Sequence, residues 1–312
     1  MAPSPAISIV IPAYNYGRLL RRAVHSVALQ MTHAHELVVV NDGSTDDTAV
    51  VLEALVAELR SGLKVLEKQN GGSSSARNAG IDAAAGDYLI FLDADDELLP
   101  GALQKIEQHL VQHPESKFVI CGHRAVTESG KSREHIPVDV PKDAYERLKG
   151  YLIDKSFGLS NGACVMHRDV FRWGRYPEQF RSAEDVPVFA QALANVPCSV
   201  LPEAILVVHK HSDSLRHQYR HAKAGGLSLV DEIFSEARLP LEYRGLRSAY
   251  ELQRCLSLFR SAYLAGEHED AIAYFRLALE RDWRAVLRPS YVGKFCRMAM
   301  RRRASSIAGY RR

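Results

Sequence analysis

The chain has 312 residues, of which 46% are hydrophobic and 25% are charged, and its formal net charge is only +3. This composition excludes collagen-like, disulfide-scaffold and intrinsically disordered proteins, and it is typical of a globular protein with one large or two modest domains. The five cysteines show no Cys-x-x-Cys spacing. Their pattern argues against a zinc site and a disulfide framework and favours a reducing compartment.

Signals for export or membrane insertion are weak. The apolar run that begins at Ile7 is too short, and too lightly flanked by positive charge, for a signal peptide. No stretch approaches the roughly 20 apolar residues that span a bilayer. The sequence therefore predicts a cytoplasmic protein.

The first hundred residues alternate between apolar runs and segments with helical spacing. Four runs of strand length predict buried strands at Ile7–Ile11, Leu37–Val40, Leu63–Leu66 and Tyr88–Leu92. Apolar residues recur at helical spacing in the segments 19–27 and 50–59 between them. This alternation predicts right-handed crossovers and a Rossmann-like α/β fold, with a mainly parallel sheet and helices on both faces.

Two short segments predict helix boundaries in this part of the chain. Ser44–Asp47 offers hydroxyl and carboxylate acceptors for the start of a helix. Gly86, after three alanines, is typical of a residue that ends one. Both boundaries would fix the loops that join the strands to the helices.

The pattern changes after residue 100. We predict a helix near Gly101–Val111, a strand near Phe118–Cys121, a polar loop through residues 122–142, a helix over Val186–Leu193 and a strand-like run at Ile205–Val208. Beyond about residue 217 the periodicity is helical, at Leu227–Ile233, Leu246–Leu264 and Ala271–Leu279. The sequence thus predicts a C-terminal helical extension.

Four polar clusters stand where predicted strands end, at Pro12–Asn15, Asn41–Ser44, Asn70–Asn78 and Asp93–Asp96. Any one of them is also typical of an ordinary loop, because Gly, Asn, Asp and Ser favour turns. Open α/β sheets bind ligands outside the carboxyl ends of their strands. Four clusters at one edge therefore predict a ligand site.

Two of these clusters carry specific chemistry. Asp93 and Asp95 follow a buried strand, and carboxylates so close raise each other's proton affinity unless a cation joins them. A divalent metal, Mn²⁺ or Mg²⁺, completed by phosphate oxygens and water would resolve this repulsion; solvated turn carboxylates are the alternative. Gly71 and Gly72 with Arg77 suit a phosphate group, although a flexible loop that caps the next helix has the same composition. Neither a Walker loop nor a dinucleotide fingerprint occurs.

In order and spacing, four segments resemble family 2 glycosyltransferases: Ser8–Asn15, Val38–Thr48, Asn70–Gly80 and Gly86–Asp96. The resemblance is strong over the first hundred residues and weaker to about Arg216. It implies a GT-A fold and inverting, metal-dependent transfer of a sugar from a nucleotide-diphosphate donor, with uridine the commonest base among relatives. It also implies three regions: a nucleotide-sugar-binding half (residues 1–99), an acceptor-binding half (100–216) and a helical region with a basic tail (217–312).

The resemblance implies roles for individual residues in the first half. Ala13, Tyr14 and Asp42 would hold the base, Arg77 would lie near the diphosphate, Asp93 would contact ribose or donor sugar, and Asp95 would hold the metal. The full set of expected nucleotide-sugar-binding residues is Pro12, Ala13, Tyr14, Asn15, Asp42, Gly71, Arg77, Asp93 and Ala94.

In the second half, Glu184 and Asp185 resemble the acidic pair that faces the donor sugar. Inverting transfer needs a general base for the acceptor hydroxyl; we assign this role to Asp185 with support from Glu184. Helix N-terminal acids stabilised by the macrodipole are the alternative. Asn161 and Gly162 resemble the strand entry on the acceptor and donor-sugar side. Relatives usually carry glycine at the position of Ala183, and Pro187 stands in the first turn of the following helix, so donor-sugar contacts are expected to differ.

A histidine is the second predicted metal ligand. His211 lies in a segment that resembles the family's closing loop, whereas a structural histidine is the alternative; His209 is the weaker candidate. No Gln-x-x-Arg-Trp sequence of processive synthases occurs. We therefore expect single-sugar addition to a glycan or lipid-linked acceptor, in the synthesis of a cell-surface polysaccharide.

The last segment is basic. Residues 288–312 hold eight arginines and lysines and no acidic residue, with Tyr291 and Phe295 among its apolar residues. We expect an amphipathic helix that gives peripheral contact with the inner face of the cell membrane; no nucleic-acid partner is expected, and a solvated terminus is the alternative. Residues 265–279 resemble half of a tetratricopeptide repeat, too little for an array, and would dock on the catalytic domain or on a second subunit of a homo-oligomer.

Two other functions fit parts of the sequence. A catalytically inactive nucleotide-sugar-binding module would not need Asp93, Asp95 and Asp185 together. A sugar nucleotidyltransferase shares α/β architecture and metal chemistry but consumes a nucleoside triphosphate and releases pyrophosphate. The products of the reaction therefore distinguish these alternatives.

Overall fold

A nine-stranded sheet organises the first two thirds of the chain, in the order β3-β2-β1-β4-β8-β6-β9-β5, with β7 paired to β6. The computed structural model describes residues 6–59, 62–138, 140–210, 219–286, 291 and 293–295. The strands are β1 Ile7–Ala13, β2 His35–Asn41, β3 Lys64–Glu67, β4 Tyr88–Phe91, β5 Glu97–Leu98, β6 Phe118–Thr127, β7 Ser132–His135, β8 Cys164–His167 and β9 Cys198–Lys210.

The first four strands run parallel to one another, with β1 between β2 and β4 and β3 beside β2. Three helices cross over between them: α1 Gly17–Ala28, α2 Thr48–Leu59 and α3 Ser73–Ala83. Alternate residues of β1 face opposite hydrophobic layers, Val10 in one and Ile9 and Ile11 in the other. Burial on both faces explains why these strands are continuous apolar runs, and the predicted α/β class is confirmed.

Two details of this half differ from the sequence prediction. β3 is not a buried strand, because it lies at the edge of the sheet and both of its end residues are exposed. Gly86 does not end α3, which stops at Ala83 with Ala84 extended. Gly86 instead lies so close to β1 that a Cβ atom there would be 2.8 Å from the backbone nitrogen of Ser8. The predicted start of α2 is correct, since Asp46 accepts a hydrogen bond from the backbone of Thr48.

The second half contributes one parallel pair, β6 with β9. It also contributes the antiparallel pairs of the sheet, β4 with β8, β8 with β6, β6 with β7 and β9 with β5. The predicted polar loop over 122–142 is wrong in its first part. β6 continues to Thr127 and forms a hairpin with β7, whose four side chains are exposed. Apolar periodicity does not detect such a hairpin, because its backbone is paired while its side chains are mostly polar. The predicted helices are found as α4 Ala102–Gln112 and α6 Val186–Asn195.

The remaining helices lie against this sheet domain or against each other. They are α5 Ala144–Lys149, α7 Tyr219–Gly225, α8 Ser228–Ile233, α9 Arg247–Ala265, α10 His268–Arg281 and α11 Trp283–Val286. Apolar residues of α8, with Tyr250 of α9, belong to the same core cluster as Phe189 of α6. The rest of α9 packs on α10 through Phe259 and Phe275, whose ring centroids are 5.3 Å apart. The helical extension is thus continuous with the core of the sheet domain.

The start of the basic tail packs on this helix pair. Tyr291 lies 5.9 Å from Phe259, and Phe295 stacks on Phe275 with ring centroids 4.5 Å apart. These two apolar side chains, predicted for a membrane-facing helix, therefore contact protein. Most of residues 288–312, His211 and Cys296 lie outside the described residues. Within the described ranges, no helix has the combination of length and apolarity needed to cross a bilayer.

Candidate functional site

The loops after β1 and β2 are fastened to each other at the carboxyl edge of the sheet. Asn15 adopts a left-handed backbone with φ of 58°, a conformation that asparagine tolerates. Its backbone N–H donates to Ser44 Oγ at 2.9 Å, and its side-chain oxygen accepts from the N–H of Thr45 at 2.7 Å. The structure therefore gives Asn15, predicted to bind nucleotide, a direct role in holding these two loops together.

Asp42 is the anchor of the glycine loop. Its carboxylate is only 2% exposed and accepts hydrogen bonds from the backbone N–H of Gly71 at 2.9 Å, the N–H of Gly72 at 2.6 Å and Lys68 Nζ at 2.6 Å. A carboxylate offers about four acceptor positions, and donors from the described residues fill three of them. Asp42 therefore holds the glycine loop in place.

The glycine loop approaches the second half of the chain. Gly72 has φ of 90°, where a side chain would be strained, and Arg181 Nη1 lies 1.6 Å from the ideal position of a Cβ atom on this residue. A side chain at this position would be strained by the backbone conformation and would displace the guanidinium of Arg181. Arg181, which the sequence analysis did not select, therefore adds a positive charge beside Gly71 and Gly72.

The remaining residues predicted in the first half differ in exposure. Tyr14 is 43% exposed at the rim of the site, so its ring is open for stacking. Ala13 and Ala94 are each 2% exposed, and Pro12 is half-buried. These three residues form the floor beneath the loops.

Arg77 joins the two halves of the site. Its guanidinium is buried, and it pairs through Nη2 with Asp93 at 2.9 Å and through Nη1 with Glu184 at 2.9 Å. Glu184 also accepts from Ser73 Oγ at 3.1 Å. The three predicted residues Arg77, Asp93 and Glu184 therefore lie together, although one of them is more than a hundred residues away along the chain.

A layer of uncharged side chains supports Arg77 from below. The guanidinium lies 5.4 Å from the ring centroid of Tyr176, which is 1% exposed. The Tyr176 hydroxyl donates to Asn161 Oδ1 at 2.7 Å, while the side-chain amide of Asn78 both accepts from and donates to the Tyr176 backbone. Asn161 is thus placed beneath the site by its bond to Tyr176. Gly162 beside it packs on Leu206, whose Cδ2 would be 2.9 Å from a Cβ atom there.

Asp185 begins α6, yet its side chain makes no capping hydrogen bond to that helix. This observation counts against the alternative that it serves only as a helix-capping acid. Burial, together with the negative charge of Glu184 and against the opposing charge of Arg77, raises the pKa of Asp185 to about 7. A carboxylate with such a pKa is suited to accept a proton near neutral pH.

In the loop before Asp185, an alanine adopts a backbone conformation that glycine usually adopts. Ala183 has φ of 61°, in the left-handed region that costs an L-residue about 1–2 kcal/mol. Family 2 glycosyltransferases, which the sequence resembles, usually carry glycine at the position of Ala183. Pro187 is accommodated in the first turn of α6, where its missing N–H has no helical partner to lose.

The acidic cluster after β4, Asp93–Asp96, supplies only part of the ligands of a metal site among the described residues. Burial and the charge of Asp95 raise the pKa of Asp93, while Arg77 opposes the shift. In the described part of the chain, no three His, Cys, Asp or Glu side chains form a metal-binding group. His209, the weaker candidate, contacts Glu97 Oε1 at 2.7 Å, and its backbone N–H donates to Asp96. The donor set still fits a cation, since a positive charge beside Asp93 and Asp95 would relieve their repulsion.

Comparison with known proteins connects this geometry to a family. The model of the family described as "Glycosyl transferase family 2" matches residues 8–173, just over half of the chain. The chain belongs to this family. The match confirms the resemblance carried by the strand-end motifs and, with it, the predicted enzyme class, a glycosyltransferase.

Curated relatives of this glycosyltransferase are similar over part of their length. The uncharacterized glycosyltransferase EpsJ of Bacillus subtilis is 28% identical over 221 residues, which is 68% of this chain and 63% of EpsJ. A Campylobacter jejuni protein named GalNAc(5)-diNAcBac-PP-undecaprenol beta-1,3-glucosyltransferase is 30% identical over 183 residues, 58% of this chain and 57% of that protein. The uncharacterized glycosyltransferase YibD of Escherichia coli matches over 38% of its length. The chain thus spans less than two thirds of these relatives.

Solved structures share the fold of the glycosyltransferase. S. aureus TarS in complex with UDP-GlcNAc superposes with a TM-score of 0.69 at 19% identity, covering 96% of this chain and 92% of that chain. The mannosyltransferase PcManGT from Pyrobaculum calidifontis, in complex with GDP-Man and Mn²⁺, gives 0.58 at 18% identity, covering 96% and 85%. These likenesses confirm the predicted GT-A fold.

Several site residues of the glycosyltransferase escaped the sequence analysis. Tyr176, Asn78, Ser73 and Arg181 act through contacts between distant segments. Asn78 and Ser73 stand in the segment that resembles the family, so the motif offered a signal for them. Tyr176 and Arg181 lie in an irregular stretch between β8 and α6, where no periodicity or motif distinguishes them.

Proposed function

We propose that this protein is an inverting, metal-dependent glycosyltransferase that moves one sugar from a nucleotide-diphosphate sugar, most simply a UDP-sugar, to a glycan or lipid-linked acceptor. The observation that carries the proposal is the arrangement at the junction of the two halves. Asp185, whose pKa is raised to about 7, lies beside a glutamate that is held by the same arginine as Asp93. This arrangement supports a role for Asp185 as the base opposite the donor loops.

The donor side of the proposal rests on the strand-end loops. Tyr14 is open for stacking on a base, and the acceptor position of Asp42 that no described residue fills suits the ring N–H of uracil. Arg77 and Arg181 bring positive charge to the glycine loop, where a diphosphate would approach the backbone. The nucleotide sugars bound to TarS and PcManGT, which share the fold, support this class of donor.

The chemistry of transfer is a single in-line displacement. The acceptor oxygen forms a bond to the anomeric carbon while the bond from that carbon to the diphosphate oxygen breaks, so the configuration inverts. Asp185 takes the hydroxyl proton, and its pKa near 7 leaves it largely ionised at slightly alkaline pH while still basic enough to do so. Glu184, fixed by Arg77 and Ser73, acts as a positioning residue that raises the proton affinity of Asp185.

A divalent metal, Mn²⁺ or Mg²⁺, would be held by Asp95 with His211 and would stabilise the negative charge of the departing diphosphate. His211 lies outside the described residues, so Asp95 is the ligand that can be tested against known surroundings. Asp93 would instead contact the ribose or the donor sugar, because one of its oxygens already pairs with Arg77.

Replacing Asp95 with alanine is expected to remove the effect of manganese on nucleotide binding. In the wild type, manganese should strengthen binding of a nucleoside diphosphate by about tenfold or more, the range of one or two charge-assisted contacts. Calorimetry with and without manganese measures this difference. The matched control is Asp82→Ala on α3, which removes an exposed carboxylate that pairs with Arg175. A manganese effect of equal size in Asp95→Ala and wild type would refute the metal assignment.

The acceptor and the location of the protein are part of the same proposal. The Campylobacter jejuni relative is named for a glucosyltransferase that acts on an undecaprenol-linked acceptor. The basic residues after Arg288 would favour an anionic membrane surface. We therefore infer a cytoplasmic enzyme, peripheral to the inner face of the membrane, that contributes to a cell-surface polysaccharide.

A further inference from the structure

A cavity of about 360 Å³ lies between the loop that precedes α6 and the face of α9. Ala183 and Val186 line one side, and Lys155, Arg254 and Arg260 bring three positive charges to the lining. We call it the basic cavity. Nothing in the donor site uses these three cations.

Within the described ranges of the chain, no carboxylate forms an ion pair with the three cations of the basic cavity, Lys155, Arg254 and Arg260. Arg254 is only 8% exposed and donates to the backbone carbonyls of Gly226 and Ala222, at 3.0 and 3.2 Å. These carbonyls orient the guanidinium without neutralising it. Buried charge is costly unless it is paired, so the buried guanidinium of Arg254 favours an anion in the cavity.

The surroundings of Lys155 lead to the same conclusion. Its ammonium donates to the carbonyl of Tyr151 at 3.2 Å and lies 5.9 Å from the ring centroid of Tyr250. Burial, with a contribution from the charge of Arg254, lowers the pKa of Lys155, and burial lowers that of Arg254. Both shifts reflect partial desolvation of a positive charge, and that of Lys155 also reflects its closeness to Arg254.

The basic cavity adjoins the proposed base. Ala183 and Val186, which line it, flank Glu184 and Asp185 in sequence. Tyr250, another lining residue, lies within the electrostatic influence of Asp185. Burial raises the pKa of Tyr250 to about 12; the charge of Arg254 opposes this shift, and the negative charge of Asp185 adds to it. A molecule bound in the cavity can therefore present a hydroxyl group toward Asp185.

We propose that the basic cavity binds a phosphate group of the acceptor, so that the natural acceptor is a phosphate-bearing saccharide or polyol rather than a neutral sugar. The inference rests on the proposed function, since it names the acceptor class for the same reaction. Three separate cations match the several oxygens and the double charge of a phosphate. The phosphate can belong to a lipid-linked saccharide or to a water-soluble phosphorylated acceptor, and the two sources share this chemistry.

The test compares phosphate binding in three proteins whose donor site is filled with a saturating nucleoside diphosphate. The variant Lys155→Gln/Arg260→Gln removes two cavity charges that are exposed, so the fold is expected to persist, and Arg254 is left in place. The control Arg276→Gln removes an exposed cation of α10 outside the cavity. The soluble probe is glycerol 1-phosphate, whose binding is measured by phosphorus NMR line broadening. Glycerol is its neutral counterpart, and its binding is measured by proton NMR line broadening. The lipid probe is a polyprenyl phosphate in neutral phosphatidylcholine vesicles, whose binding is measured by flotation.

We expect the double variant to bind phosphate about tenfold to hundredfold more weakly than the wild type and the control, with glycerol bound by none. If the double variant binds glycerol 1-phosphate more weakly than the wild type does, the result supports a soluble phosphorylated acceptor. If its binding is weaker only for the vesicles with polyprenyl phosphate, the result supports a lipid-linked acceptor. Equal binding of both phosphate probes by all three proteins would overturn the proposal. Nucleoside diphosphate binding is measured first, and its failure counts against the proposed function separately from the cavity.

Discussion

Replacing Asp185 with asparagine is expected to lower the rate of sugar transfer by about 10²–10⁴-fold, the usual contribution of a positioned general base. The same change should make the fold more stable above pH 7. Asparagine keeps the shape and part of the hydrogen-bonding capacity of Asp185 but cannot accept the proton of the acceptor hydroxyl. Opposite effects on rate and stability are typical of a group that is held in an unfavourable charged state for function.

The sign of the stability effect follows from the pKa. Asp185 has a pKa of about 7 in the folded protein and about 3.9 in an unfolded chain. Between these values the folded protein binds more protons than the unfolded chain, so the stability contributed by Asp185 falls as the pH rises through this window and is lost above pH 7. Removing the charge should therefore raise the free energy of unfolding at pH 8 by about 2 kcal/mol, a value reduced from the full shift because Asp185 is only half-buried.

Transfer assays and thermal unfolding across pH 5–9 measure both effects. The wild-type rate should fall about tenfold per pH unit below pH 7, as the base becomes protonated. The matched control is Asp143→Asn, at the start of α5, where asparagine can replace the capping carboxylate. Transfer within a few-fold of the wild type in Asp185→Asn would move the base elsewhere, with Glu184 the first alternative. A large loss of stability would mean that Asp185 holds the fold.

Replacing Arg77 with alanine is expected to lower the free energy of unfolding at pH 8 by about 3 kcal/mol. Its guanidinium is the shared partner of Asp93 and Glu184, and without it two carboxylates would face each other with no cation between them. The effect falls at the lower end of the range for buried ion pairs, because the side chain of Asp93 is 43% exposed. Arg77→Lys should lose less stability, but a lysine cannot contact both carboxylates with a planar fork.

Loss of Arg77 should also shift the pH dependence of the reaction. The positive charge of Arg77 lowers the pKa of Asp185 against the effects of burial and of Glu184, so its removal should move the acid limb of the pH–rate profile to higher pH. Arg175→Ala is the matched control, because Arg175 pairs with Asp82 at an exposed position and such pairs are worth about 1 kcal/mol or less. An Arg77→Ala protein as stable as this control, with an unmoved acid limb, would contradict the role of Arg77.

The first half of the chain could be predicted well from the sequence. Parallel strands buried on both faces, such as Ile7–Ala13, are continuous apolar runs, and the loops that follow them carry the motif residues. The sequence indicated that Asp42, Arg77 and Asp93 share one edge. It did not indicate that Asp42 accepts three hydrogen bonds from the glycine loop and Lys68, because those donors depend on the folded path of the loop.

The parts that were missed depend on contacts between distant segments. Arg77 and Glu184 are 107 residues apart, and no local pattern records that they meet. The hairpin that residues 122–127 of β6 form with Ser132–His135 has mostly polar side chains on a paired backbone, so this part resembled a loop. The basic cavity is also a product of folding, since Lys155 and Arg254 come from separate elements and look like ordinary surface residues in the sequence.

The central claim, that this chain transfers a sugar from a nucleotide sugar with Asp185 as base, is tested most directly by the products formed from a panel of nucleotide sugars with manganese present. Chromatography of each reaction, run with water alone and with the phosphate-bearing acceptor probes, identifies the nucleotide released. We expect at least one donor to yield the nucleoside diphosphate and a glycoside of inverted configuration. We expect Asp185→Asn to form this glycoside about 10²–10⁴-fold more slowly while still binding the nucleotide. Binding of nucleotide sugars without turnover, or pyrophosphate release from a nucleoside triphosphate and a sugar phosphate, would contradict the claim.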